Sequence, residues 1–202
     1  MKLLAFVGSP RKGSNVEILI DKVIEGVHSK ISASVKKIYL YKANIQLCTG
    51  CLACTALKGG KPCPLKDDMP RILTAMEQAD GFIFGPPNHV HSMSAAMVNL
   101  FCRMQPLIKM SVERDSVGNI IGATSSTTIS GKRAVVVVSQ GDFSPCQSAL
   151  LLRVLDSNIK DFKLVKVAEI LSTGNLERAQ VKDKAYDLQQ AFEAGVRLAG
   201  VK

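Results

Sequence analysis

Apolar and polar positions alternate along the chain in blocks that predict strands and helices in turn. Residues 2–7, 81–84 and 134–138 are continuous apolar runs, which is typical of strands buried on both faces of a parallel sheet. Residues 35–41 are more polar and predict a strand at a sheet edge, and residues 163–170 predict a fifth strand. Apolar residues at helical spacing predict helices near 16–27, 68–78, 93–104, 145–157 and 178–198.

This alternation predicts an α/β fold, a flavodoxin-like doubly wound five-stranded parallel sheet with the order 2-1-3-4-5. We expect one domain over residues 1–202, with a cysteine-rich loop at about 46–66 and a polar loop or hairpin at about 111–132. The segments of unusual composition follow strands one to four. Because such sheets bind ligands at the carboxyl ends of their strands, we expect these loops to share one edge.

The composition of the chain indicates which classes of partner it can bind. The formal charge of +9 favours anionic partners such as phosphates, nucleotides or an acidic redox protein. Aromatic residues make up only 5% and Trp is absent, which argues against nucleic acid, since bases need stacking partners. No apolar run reaches the length of a membrane span. We predict a cytoplasmic protein, with neither nucleic acid nor membrane as a partner.

The loop after the first strand reads Gly-Ser-Pro-Arg-Lys-Gly-Ser-Asn over residues 8–15. Ser9, Ser14 and Asn15 offer hydroxyl and amide groups, Arg11 offers a guanidinium, and the following helix adds free N–H groups. Ser14 stands where a triphosphate-binding loop needs Lys, which argues against ATP or GTP. A terminal phosphomonoester therefore fits. The competing interpretation is a helix cap, because Ser14 and Glu17 have the spacing of a capping box.

Four cysteines lie within sixteen residues, at Cys48, Cys51, Cys54 and Cys63, and the last precedes Pro64. The C-x2-C-x2-C run followed by Cys-Pro is typical of thiolates that converge on an iron–sulfur cluster. Structural zinc, which usually takes paired C-x2-C knuckles, is a second interpretation. A site without metal, in which the thiols are redox-active or vestigial, is a third. The residues alone leave all three open.

Together the two motifs resemble the NADPH-dependent FMN reductase superfamily, and within it the iron–sulfur flavoprotein branch. The resemblance implies one FMN per subunit, a 4Fe–4S cluster on the four cysteines, and homo-oligomers, either dimers or tetramers. It implies that Ser9, Arg11, Ser14 and Asn15 hold the FMN phosphate. Pro87, Asn88 and His89 after strand three would contact the flavin, and we also assign Gln140 and Gly141 after strand four to this site. In relatives the strand-three loop often has Tyr where this chain has His89.

Three further side chains are of a reactive type, so each has a chemical and a structural interpretation. His89 is a candidate to hydrogen-bond the flavin or to receive a substrate proton, with a plain loop role as the alternative. Cys102 lies among Met97, Phe101 and Met104 on a predicted helix, so we expect it to be buried packing. Cys146 opens the fourth helix, and we expect a structural role there.

These residues predict an electron-transfer oxidoreductase that contains FMN and a 4Fe–4S cluster. One alternative is a cluster-free NAD(P)H-dependent FMN or quinone reductase. Another is a non-enzymatic electron carrier that docks a ferredoxin-like redox protein. NAD(P)H is a possible substrate, although the sequence shows no second nucleotide motif.

Overall fold

The computed structural model describes residues 1–55 and 60–200, so residues 56–59 of the predicted cysteine loop and residues 201–202 lie outside the described residues. The described elements, in chain order, are β1 (Lys2–Val7), α1 (Asn15–His28), β2 (Ser34–Tyr39), α2 (Met69–Gln78), β3 (Gly81–Gly85), β4 (Asn88–His89), β5 (Ser92–Met93), α3 (Ala95–Arg103), β6 (Ile108–Arg114), β7 (Ile120–Thr127), β8 (Arg133–Ser139), α4 (Ala149–Asp161), β9 (Val165–Ser172) and α5 (Ala185–Leu198). Short 3₁₀ turns at 105–107, 145–148 and 180–183 join some of them.

Five of the described strands form one parallel sheet in the order β2-β1-β3-β8-β9. This is the order 2-1-3-4-5 once β4, β5, β6 and β7, which pair outside this sheet, are set aside, so the predicted flavodoxin-like fold is confirmed. The polar strand β2 lies at an edge, as its composition predicts, while β1 and β3 are buried almost throughout. The carboxyl ends of all five strands therefore meet at one rim.

Helices cover both faces of the sheet, which is why the central strands need no polar side chains. Alternate residues of β1 serve opposite sides: Leu4 and Phe6 join a core with α2, α3 and α4, whereas Leu3 and Ala5 join a core with α1 and α5. Both cores consist of buried apolar residues. They hold the strand ends, and hence the rim, in fixed positions.

Two antiparallel hairpins in the described part of the chain lie outside this sheet. The segment predicted as a polar loop or hairpin at about 111–132 holds most of β6 and all of β7, which pair with each other from residue 108 to residue 127. The second hairpin, β4 with β5, has strands of only two residues, too short to produce a periodic pattern in the sequence. It occupies the start of the segment predicted as a helix from residue 93, and α3 begins only at Ala95.

No helix among residues 1–55 and 60–200 combines the length and the apolar character that crossing a bilayer requires.

Candidate functional site

A cavity of about 240 Å³ opens at the carboxyl rim of the sheet, between the loops that follow β1, β3, β8 and β9. All nine residues predicted to bind the cofactor line it, namely Ser9, Arg11, Ser14, Asn15, Pro87, Asn88, His89, Gln140 and Gly141. The sheet topology explains this convergence, because strands that run in parallel deliver their following loops to the same edge. Sequence positions more than 130 residues apart meet around one space.

The loop after β1 is shaped by the start of α1. Gly13 has φ +65°, a left-handed conformation that most side chains disfavour, and it turns the chain into the helix. Ser14 caps the helix, since its Oγ accepts a hydrogen bond from the Glu17 N–H at 3.2 Å. The Ser14 hydroxyl hydrogen remains available for donation to an anion. The cap and the anion-binding interpretation are therefore compatible, and both use the same side chain.

Glu17 does not close the capping box on Ser14. Its Oε2 accepts from the Gly13 N–H at 2.7 Å and its Oε1 accepts from the Tyr39 hydroxyl at 2.7 Å. Burial tends to raise the pKa of Glu17, but these two hydrogen bonds and the Lys37 ammonium outweigh it, so the pKa is lowered. A buried carboxylate thus holds the turn at Gly13 and ties it to the edge strand β2.

The side-chain amide of Asn15 makes hydrogen bonds within the protein. Its Nδ2 donates to the Glu177 carbonyl at 2.8 Å, and its Oδ1 accepts from the Val181 N–H at 3.0 Å. The side-chain amide therefore joins the loop of residues 8–15 to the segment after β9. The part of Asn15 left to face a phosphate is its backbone N–H in the first turn of α1.

Gln140 and Asn88 build the far wall of the cavity. The Gln140 Nε2 donates to the carbonyls of Asp142 at 3.0 Å and Ser144 at 2.7 Å, so the side chain braces its own loop. The Asn88 Nδ2 donates to Gln140 Oε1 at 3.2 Å and to the Gln147 carbonyl at 3.0 Å. These contacts depend on the folded loop after β8. The Gln140 backbone is paired as well, since its N–H donates to the Ser172 carbonyl and its carbonyl accepts from the Asn175 N–H, both at 2.9 Å. The backbone of Gly141 is the part of this loop that a ligand would meet.

The loop after β9 contributes residues that sequence reasoning missed. Asn175 lines the cavity, and its Nδ2 donates to Ser139 Oγ at 3.1 Å and to Ser172 Oγ at 2.7 Å. Arg178 also lines the cavity and is exposed like Arg11. The signal was present in the sequence, since a Gly-Asn pair at residues 174–175 follows the fifth strand just as the other loops follow theirs.

Two buried acceptors at this cavity fit a ligand that carries hydrogen-bond donors. The Oδ1 atoms of Asn88 and Asn175 are buried and have no hydrogen-bond partner among the described residues. FMN carries ribityl hydroxyls and a ring N–H, and its phosphate matches the cations Arg11 and Arg178 and the start of α1. The residues present at the rim therefore fit FMN.

His89 lies at the mouth of the cavity, exposed on the β4–β5 hairpin. The turn of that hairpin consists of Val90 and His91, both left-handed at φ 50° and 61°. A β-branched residue such as Val is strained in this conformation, and strained backbone often occurs at binding sites. The His91 Nδ1 lies 3.3 Å from the Gln147 carbonyl, which anchors the hairpin to the opposite loop. The catalytic role of His89 stays a prediction.

The predicted cluster ligands surround a second, smaller cavity. Cys48, Cys51, Cys54 and Cys63 all line a space of about 30 Å³ beside the end of α3. Burial raises the pKa of the Cys54 thiol, and repulsion from Cys63, Cys48 and Cys51 raises it further, so these three cysteines lie within electrostatic range of Cys54. The backbone is left-handed at Gly50 and Leu52, on either side of Cys51.

Among the described residues no three His, Cys, Asp or Glu side chains converge closely enough to hold a single metal ion. Zinc requires its ligands at about 2.0–2.3 Å from one ion. In a cubane each thiolate binds a different iron atom, so the ligand sulfurs stand farther apart than around one ion.

Asn99 of α3, another residue that sequence reasoning missed, holds the start of the cysteine loop. Its Oδ1 accepts from the Cys48 N–H at 3.1 Å, and its Nδ2 donates to the Gln46 carbonyl at 3.2 Å. Arg103, one turn later on α3, also lines the cysteine cavity. An Asn and an Arg four residues apart in an otherwise apolar helix were the available signal.

The prediction that Cys102 is buried packing is wrong, because the thiol is exposed and lines the cysteine cavity. One residue along a helix rotates the side chain by about 100°. Phe101 faces the core, so Cys102 turns to the side that also carries the partly exposed Val98. Cys146 is exposed in the turn before α4.

The chain is similar to several known proteins. Residues 1–145 match the family model described as NADPH-dependent FMN reductase. An iron–sulfur flavoprotein of Methanocaldococcus jannaschii is 31% identical over 126 residues, which cover 62% of this chain and 63% of that protein. Another, of Archaeoglobus fulgidus, is 37% identical over 103 residues, which cover 51% of this chain and 48% of that protein. The matched region is less than two thirds of the length of either relative.

The structure of an FMN-dependent NADH-azoreductase of Bacillus anthracis in complex with FMN superposes with a TM-score of 0.72 at 15% identity. The superposition covers 98% of this chain and 100% of that one. At this identity the likeness shows the fold. The family match over residues 1–145 goes further, because it contains the phosphate loop, the cysteine loop and the loop after β3. The predicted resemblance is thereby confirmed, and the chain belongs to the NADPH-dependent FMN reductase family, with iron–sulfur flavoproteins among its sequence relatives.

Proposed function

We propose that this protein is an oxidoreductase that binds FMN at the rim cavity and a 4Fe–4S cluster at the four cysteines. The observation that carries the flavin assignment is the meeting of all nine predicted residues, with Asn175 and Arg178, around one cavity at the strand ends. The cluster assignment is supported by the four cysteines around one small cavity and by sequence relatives named iron–sulfur flavoproteins.

FMN supplies hydride or single-electron transfer when bound, and a 4Fe–4S cluster passes one electron at a time. The chain's own groups bind and orient these cofactors. The N–H groups at the start of α1, the Ser14 hydroxyl and the two arginines hold the phosphate. The Asn88 and Asn175 oxygens accept hydrogen bonds from the ligand. A protein with both centres converts between two-electron donors and one-electron carriers, and we infer that function here.

Cofactor content after oxygen-free purification tests the proposal. We expect FMN together with equal amounts of iron and sulfide, and no stoichiometric zinc. Cys48→Ser should lose iron and sulfide while it keeps FMN. Cys146→Ser is the matched control, because that thiol is exposed and lies outside the cysteine cavity, and it should keep both cofactors. Flavin absorption without iron in the wild-type protein would remove the cluster from the proposal.

The phosphate assignment has its own test. FMN should bind more tightly than riboflavin, which lacks the phosphate but presents the same ring. Equal affinity for the two would show that the loop of residues 8–15 does not hold the phosphate.

The second candidate function is a cluster-free NAD(P)H-dependent FMN or quinone reductase, which the family match favours because it requires only the rim cavity. Steady-state oxidation of NADH and NADPH separates an enzyme from a pure electron carrier, since a carrier should oxidise neither. Homo-oligomers, a ferredoxin-like partner and the cytoplasmic location stay predictions.

A further inference from the structure

A buried ion pair lies at the base of the cysteine loop. Arg103 of α3 and Asp67, just after the loop, have side chains that are 2% and 0% exposed. The guanidinium binds the carboxylate at two points, Nη1 to Oδ2 at 2.6 Å and Nη2 to Oδ1 at 3.1 Å. This two-point geometry is the strongest that an Arg–carboxylate pair can adopt. The position of the guanidinium is therefore fixed.

The same pair ties the two ends of the loop together. The Arg103 Nη1 also donates to the Gln46 carbonyl at 2.6 Å, before the first cysteine. Asp67, after the last cysteine, accepts from the Gln46 N–H at 2.9 Å and from the Met69 N–H at 2.9 Å. Every polar atom of the carboxylate is paired. The loop thus has a rigid base, although its cysteines lie near the surface.

From this fixed position Arg103 contacts a predicted ligand directly. Its Nη2 donates to the Cys63 Sγ at 3.7 Å, within the range of a hydrogen bond to sulfur. Because Asp67 neutralises most of the guanidinium charge, the effect on the sulfur comes mainly from this local N–H donor. A donor to a ligand sulfur stabilises the reduced cluster more than the oxidised one, since the added electron places more negative charge on the sulfurs.

We propose that Arg103 is a positioning residue that orients Cys63 and, through its hydrogen bond to the sulfur, raises the reduction potential of the cluster. The inference rests on the proposed function, because it requires the cluster to be present. The role depends on the geometry of the guanidinium, which contacts Asp67 at two points and Cys63 at the same time. Lysine cannot reproduce these contacts, because it carries a single ammonium group.

The test is a reductive titration of the anaerobic wild-type and Arg103→Lys proteins, followed by the cluster's electron paramagnetic resonance signal. We expect Arg103→Lys to keep FMN and to require a lower potential for reduction. A tenfold change in the oxidised-to-reduced ratio at fixed potential corresponds to about 59 mV for a one-electron couple. Arg71→Lys is the matched control, because Arg71 pairs with Asp68 in the same region but is 71% exposed. Its cluster should titrate as in the wild type.

A second variant covers the case in which Arg103→Lys disturbs folding. Arg103→Gln combined with Asp67→Asn removes both charges and keeps polar groups at both positions, so no buried charge is left unpaired. FMN binding reports whether the fold is intact. A folded variant with lowered potential, or with iron lost while FMN is kept, supports the role. Full iron with an unchanged potential in either variant overturns it. Wild-type protein without iron and sulfide would instead refute the cluster, a separate result.

Discussion

The buried carboxylate of Glu17 provides a direct test of how the phosphate loop is held. Replacement by Gln keeps the shape but removes the charge from hydrogen bonds with Gly13 and Tyr39, each 2.7 Å long. Hydrogen bonds to a charged group contribute about 1.5–3 kcal/mol, against about 0.5–1.5 for neutral ones. The lower cost of burying a neutral amide offsets part of this loss. We expect Glu17→Gln to lower the free energy of unfolding by about 1–2 kcal/mol at pH 7.

The effect should depend on pH in a definite direction. The pKa of Glu17 is lowered in the folded protein, against burial, by Tyr39, Gly13 and Lys37. The ionised carboxylate therefore stabilises the fold above its unfolded pKa of about 4.3, and this contribution disappears as the pH falls through the lower folded value. The wild-type and Glu17→Gln proteins should thus differ most at pH 7. Their free energies of unfolding should converge below about pH 4.

Urea denaturation of the flavin-free protein is the appropriate measurement. FMN affinity is less direct, because removing a negative charge also lessens the repulsion of a bound phosphate. Glu25→Gln serves as the control, since Glu25 pairs with Lys22 at 2.6 Å but is 55% exposed. Exposed pairs contribute only about 0–1 kcal/mol. The role given to the Glu17 carboxylate would be refuted if Glu17→Gln and Glu25→Gln lowered the free energy of unfolding equally. It would also be refuted if the wild-type and Glu17→Gln proteins differed by the same free energy at pH 7 and at pH 3.

Three further predictions concern the rim cavity. Gly13→Ala should lower the free energy of unfolding by about 1–2 kcal/mol and weaken FMN binding, because Ala disfavours φ +65°. Gly13→Asn should lower the free energy of unfolding less. Equal losses for the two variants in urea denaturation would contradict this reasoning. Arg178→Gln should weaken FMN binding about tenfold, through a lost charge-assisted contact, and leave riboflavin binding unchanged. Flavin fluorescence titration measures both affinities, and an equal loss for riboflavin would exclude a phosphate contact. Asn175→Ala should lower the free energy of unfolding by about 1–3 kcal/mol, because Ser139 and Ser172 lose the donor that they share. Asn119→Ala is the control, since the Asn119 amide donates to Asp115 on the exposed hairpin.

The sequence predicts the sheet because the burial of each strand determines the composition of that strand's own residues. A strand buried on both faces must be apolar throughout, and an edge strand need not be, so β1, β3 and β8 differ visibly from β2. Strand order then follows from the fold class, and it brings every loop of unusual composition to one rim. That is why the residues around the rim cavity could be named in advance.

The hydrogen-bond partners of individual side chains could not be predicted in the same way. Asn15 and Gln140 are in the expected places, yet their amides serve contacts with residues 177–181 and 142–144. Such contacts exist only once distant loops have folded against each other. Cys102 was misplaced for a simpler reason, since a one-residue step on a helix changes the face on which a side chain lies.

Helix α3 connects the two candidate sites in a way that neither motif reveals. The hairpin that carries Asn88 and His89 leads directly into its first residue, and Asn99 and Arg103 near its other end hold the cysteine loop. A helix of nine residues is about 13 Å long and rigid, and this one is fixed to the sheet by buried Met97 and Leu100. A packed helix therefore sets the placement of the rim cavity relative to the cysteine cavity. The loops supply the residues that line the two cavities, but the core of α3 determines how far apart the cavities lie.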